Sequence, residues 1–137
     1  MIWLRYWGNL TRSELYAMMT GYRNVPDYDP AFDVLQDFRG TETNELTYSD
    51  VSMMAENTKA FRQKVGVEVR LALLAPGDLG FGMGRMFTTL LGNCPLINAD
   101  VFRDLEGAAA FLDLSAQART LIGNGANSLS ISVSHRT

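Results

Sequence analysis

Residues 65–87 read VGVEVRLALLAPGDLGFGMGRMF, and this stretch decides the fold. Its first half, residues 65–75, predicts a strand. Leu71 to Ala75 are apolar without interruption, the pattern of a central strand covered on both faces. Pro76-Gly77-Asp78 ends the strand. Leu79, Met83, Met86, Phe87, Leu90 and Leu91 then recur at helical spacing, and Gly92-Asn93 stops the helix. A buried strand, a tight break and a one-faced helix make a βα unit, which needs parallel neighbours.

Those neighbours lie on both sides. Toward the N-terminus, residues 1–7 are a strand candidate broken by Gly8 and Asn9. Thr11 and Glu14 have the spacing of a capping box, and Leu15, Met18, Met19 and Tyr22 form one helical face. Asn24 to Pro30 is a loop by composition, and residues 31–38 form a second strand that stops at Arg39-Gly40. After the polar loop TETNEL, Thr47 or Ser49 caps a second helix with Asp50 in its first turn. Val51, Met54, Ala55, Thr58 and Phe61 carry that helix to about Lys64. Toward the C-terminus, Leu96 to Phe102 is a fourth strand. Asp104 caps a fourth helix whose inner face is Leu105, Ala108, Ala109 and Leu112.

The order β-α-β-α-β-α-β-α predicts one α/β domain over residues 1–114. It has a mostly parallel sheet of four to five strands, about four helices and right-handed crossovers. Residues 115–137 read as a C-terminal extension. Ala116 to Ile122 is helical, Gly123-Asn-Gly125 ends the helix, and SLSISVS alternates Leu129, Ile131 and Val133 with serines. That alternation predicts a strand with one buried face, docked on its own sheet or exchanged with a second copy in a homodimer.

Composition narrows the function. A chain of 137 residues should bury about two-thirds of its unfolded surface, enough for a core without staples. Apolar residues are 47% and charged residues 20%, a globular balance. A net charge of −3 argues against nucleic acid and anionic membranes as partners. The single cysteine, Cys94, excludes a disulfide framework and reads as a small buried hydrophobe. The opening MIWLRYWGNL has Arg5 within its apolar run and no small-residue cleavage site after it, so no targeting segment is expected and the cytosol is the expected location.

No reaction is written in the chain. In GDLGFGMGR (77–85), Gly80-x-Gly82 is followed by Arg85 where a dinucleotide fingerprint needs glycine, and Gly84-Arg85-Met86 is not the ending of a phosphate loop. Gly80 and Gly84, one turn apart, instead suit close approach of this helix to the sheet or to a second chain. The only histidine, His135, sits near the terminus, a poor place for a base. No metal-ligand spacing and no cofactor motif is present. Met18, Met19, Met54, Met83 and Met86 fall on inner faces, as core filling or as an adaptable apolar pocket. Asp37, Arg39, Asp78 and Arg103 fall beyond the carboxyl ends of strands, where ligands of parallel sheets bind. With Arg85 and the helix-starting Thr47 and Ser49, they are the candidate ligand- or partner-binding residues.

LQDFRG (35–40), TYSDV (47–51), VRLALLAPGDLGFGMGRMF (69–87) and ADVFRDLEGAAAFL (99–112) together resemble the SpoIIAA-like family of the STAS-like group, over roughly residues 2–114. The resemblance implies a bacterial α/β module without enzymatic activity, regulating through protein–protein interaction. The group's likeness to lipid-transfer domains implies the alternative of a small apolar ligand between helices and sheet. Anti-anti-sigma factors of this group carry a phosphorylated serine in a D-S-S-G-L motif. Here the region reads Thr47-Tyr48-Ser49-Asp50-Val51, without S-S-G, so capping is the primary role expected of Thr47 and Ser49.

Overall fold

The computed structural model describes residues 1–124 and the backbone of Ile131–Val133. Thr11, Thr47, Asp104 and Ser115 each start a helix by accepting a hydrogen bond from a backbone N–H three residues on. The elements run β1 (Ile2–Leu10), α1 (Arg12–Gly21), a 3₁₀ turn (Tyr22–Asn24), β2 (Val34–Asn44), α2 (Tyr48–Val65) and β3 (Val69–Leu74). Then come α3 (Asp78–Leu91), β4 (Ile97–Phe102), α4 (Leu105–Leu112), α5 (Ala116–Gly123) and β5 (Ile131–Val133). The sheet order is β4-β3-β2-β1-β5. The first four strands are parallel, and β5 pairs antiparallel with β1. The α/β domain with a mostly parallel sheet is therefore as read from the sequence.

Strand alternation sorts the core into two layers. Ile2, Leu4, Tyr6, Val34, Leu71, Leu73 and Val101 face α1, α2 and α3. Trp3, Leu35, Ala72 and Leu74 face α4 and α5, where Ala108, Ala109, Leu112 and Ile122 complete a second core. Right-handed crossovers between successive parallel strands put α1, α2 and α3 on one face. After β4 the chain returns across the other face through α4 and α5 and reaches the free edge of β1. The helix of the extension thus belongs to the second layer.

Three readings need correction. β1 does not stop at Gly8. Glycine adopts φ +59° there, and two register shifts let the strand continue to Leu10. β2 does not stop at Arg39-Gly40. Because β1 is longer, Gly40 to Asn44 find partners on Trp7 to Leu10, and the first four of the six residues of the expected polar loop are strand. β3 pairs with β2 only from Val34 to Asp37, so the distal ends of β1 and β2 overhang the sheet as a two-stranded ribbon. Finally, β3 begins at Val69 rather than Val65, because α2 runs through Val65 and ends at Gly66 with φ +69°. In the extension, Val133 and Ile131 pair with Ile2 and Leu4. Leu129, His135 and the side-chain face of that strand lie outside the described residues.

α3 lies close to the sheet through one of its three glycines; a Cβ on Gly82 would meet nothing. A Cβ on Gly84 would come within 2.7 Å of Val101 Cγ2, whereas one on Gly80 would sit 3.5 Å from Ala75 Cβ. Only Gly84 is required by packing.

Candidate functional site

Asp37 is 3% exposed near the end of the β2 segment shared with β3. A register shift in β2 just after it lets Arg39 reach back, so that Arg39 Nε donates to Asp37 Oδ1 (2.9 Å) and Nη2 to Oδ2 (2.7 Å). Trp3 Nε1 donates to the same Oδ2 at 3.1 Å, and the Arg39 backbone N–H to Oδ1 at 3.1 Å. Arg39 Nη2 also donates to the Ile122 carbonyl at 2.8 Å, tying α5 to the sheet. Asp37 thus accepts four hydrogen bonds and has little capacity left for a ligand.

The other candidates separate. Arg103 Nη1 donates to Asp78 Oδ1 at 2.8 Å, but the Asp78 side chain is 96% exposed, so this is a surface pair of small energetic weight. The Arg103 guanidinium also lies 4.3 Å from the Phe81 ring centre. Arg85 is on the exposed side of α3. Thr47, not Ser49, caps α2, and Asp50 Oδ2 accepts in return from the Thr47 N–H at 2.9 Å, closing a full capping box. That backbone hydrogen bond, with help from the Thr47 hydroxyl and Arg12, holds the Asp50 carboxyl below its ordinary pKa. Ser49 is exposed in the first turn. Cys94 is half-buried in the turn between α3 and β4, not fully buried, because Gly92 and Asn93 keep that turn at the surface.

The sequence offered an apolar pocket between helices and sheet as an alternative to core filling, and a space lies there. Between α1, α2, α3 and the sheet lies an apolar cleft with about 560 Å³ of empty volume, part of it open to solvent. Leu15, Met19, Met54, Leu73, Met83 and Phe87 form its walls. One buried polar group, Gln36, lies on its floor, where its Oε1 accepts from the Tyr6 hydroxyl at 3.1 Å. Tyr6 is stacked on Phe38 with ring centres 4.6 Å apart, and burial pushes its pKa up, so the hydroxyl keeps its proton. Of the five methionines read as core filling or pocket, Met19, Met54 and Met83 line the cleft, one from each of α1, α2 and α3.

The mouth is formed by Thr41, Asn44, Leu46 and Gly80. Phe38, Thr41, Asn44 and Gly80 are shared with a second, polar basin of about 680 Å³ at the carboxyl edge, which Arg39, Thr43, Pro76 and Asp78 also line. Of the residues read as binding groups, Arg39 and Asp78 border this basin; Thr47, Ser49, Arg85 and Arg103 line neither space. Among the described residues no group of three or more His, Cys, Asp and Glu side chains is placed to hold a metal, and no helix is long and apolar enough to cross a membrane.

No family model, curated protein or solved structure matches this chain.

Proposed function

We propose that this protein binds a small amphipathic, lipid-like molecule without transforming it, the apolar body lying in the cleft under α1, α2 and α3. The observation that carries this reading is the cleft itself: three methionines and two phenylalanines around the buried Gln36, adjoining a basin of mixed polarity. Ligand sites are concave and mostly apolar, with a few placed polar groups. Methionine walls repack around different shapes at small cost. The experiment is extraction of the purified protein followed by mass spectrometry, with a thermal-shift panel of fatty acids and isoprenoids. A co-purifying amphiphile, or a shift lost in Met83→Trp, supports the reading. An empty extract with no shift across the panel overturns it.

A second reading is a regulatory protein-interaction module of the SpoIIAA-like, STAS-like kind in a bacterial cytoplasm, working as a homodimer. The observation in its favour is the carboxyl edge, where Tyr48 and Leu79, in the first turns of α2 and α3, are 61% and 64% exposed. Large apolar residues displayed near one edge suit a protein partner. Tyr48→Glu with Leu79→Glu, assayed by light scattering and by pull-down of a specific partner, separates this reading from the first. Loss of a partner with ligand binding intact favours the module.

A further inference from the structure

We propose that the ligand of the cleft is an alkyl carboxylate whose head is held by Arg62 and Arg23; this rests on the cleft being a ligand site. Arg62, in the last turn of α2, is 2% exposed. Its Nη1 donates to the Pro30 carbonyl at 2.6 Å and its Nη2 to the Tyr28 hydroxyl at 3.4 Å. Among the described residues no carboxylate lies within ion-pair distance of it. Residues 125–137 contain no Asp or Glu. A buried guanidinium with only neutral acceptors is costly, because carbonyl and hydroxyl oxygens offset the lost hydration without offsetting the charge.

Arg23 is the second cation. Its guanidinium carbon sits 4.0 Å from the Phe61 ring centre, and its buried Nε has no hydrogen-bond partner. Arg23 and Arg62 line one narrow crevice with Thr58, Phe61, Gln36 and Met19; its roughly 320 Å³ of empty space includes open solvent, and a head group enters as Met19 and Arg23 shift aside. Met19 and Gln36 also line the cleft, so the two spaces adjoin across one flexible thioether and one amide. Along β2 the shared wall runs from Phe38 in the cleft to Val34 in the crevice, about 13 Å at roughly 3.3 Å per residue. An extended chain with its tail among the methionines brings its head past Met19 to the two arginines. A carboxylate is the head that matches: it is planar, singly charged and suited to the guanidinium fork. The Tyr28 hydroxyl, which accepts from Arg62, retains a proton to donate.

The test is calorimetric titration of the full chain with dodecanoate and with 1-dodecanol. Dodecanoate should bind at least about tenfold more tightly. Arg23→Gln should remove most of that preference by weakening dodecanoate far more than dodecanol, and Arg62→Gln should do the same if it folds. Equal affinity for acid and alcohol, or a preference that survives Arg23→Gln, overturns the carboxylate assignment and leaves the cleft reading standing. Binding of neither probe overturns both.

Discussion

The two faces of the sheet are built from alternate residues of the same strands, yet they solve burial differently. Gln36 and Asp37 are neighbours on β2, both under 5% exposed, and they point into different cores. On the α4–α5 face, Ala72, Ala108 and Ala109 are fully buried and let α4 lie close, and the one buried carboxylate has every oxygen occupied by protein donors. On the α1–α3 face the contacts are made by methionine, leucine and phenylalanine, and the helices stand over a cleft. Small residues close a layer; long flexible ones support it from a distance and leave room. The buried polar groups differ too: Asp37 is enclosed by protein donors on one face, and Gln36 borders the cleft on the other.

The sharpest way to break this contrast is Asp37→Ala. It leaves Arg39 and Trp3 Nε1 without their acceptor inside the closed face, and should cost about 3 kcal/mol in denaturant unfolding. A loss below about 1 kcal/mol would show that the closed face does not depend on its internal ion pair. Next comes Gly84→Ala, at the one place where the open face is tight. The added methyl must displace Val101, at about 1–3 kcal/mol, while Gly80→Ala should be neutral or stabilising by up to about 1 kcal/mol. Equal thermal melts for the two variants would remove the distinction.

Smaller effects sit at the start of α2. Thr47→Ala should cost about 1 kcal/mol and Ser49→Ala less than about 0.5 kcal/mol, since only Thr47 caps the helix. The smallest is a pH effect. The folded Asp50 carboxyl has a pKa below its ordinary 3.8, so its contribution is present above that value and is lost as pH falls through the folded pKa. Unfolding measured down an acid series should therefore lose part of its slope below about pH 4 in Asp50→Asn. An unchanged slope would mean the capping box carries no charge-dependent stability.

The parts of the fold legible in the sequence are those governed by local rules. Thr47, Asp104 and the apolar run through Leu74 each act through neighbours within a few residues. Gly84 was legible as a close-approach residue because it falls on the apolar face of α3. The length of β2 was not, because Gly40 to Asn44 are polar and become strand only through β1, more than 30 residues away. Asp37 and Arg39 read as ligand groups for the same reason: the donors that occupy Asp37 include Trp3, and the carbonyl that engages Arg39 belongs to Ile122. Arg62 carries no local signal that sets it apart from a solvated cation at a helix end. Its burial depends on Pro30, 32 positions earlier, folding back over the end of α2.

The overhanging ribbon of β1 and β2 has a consequence in time. Gly40 to Asn44 hydrogen-bond to β1 alone and lack the second neighbour that Val34 to Asp37 enjoy on β3. Their amides should exchange with solvent through local fraying, far more often than the whole domain unfolds. Thr41 and Asn44 are also the rim of the cleft. For the proposed ligand, residence time should then depend on how often this ribbon frays as well as on the contacts made inside.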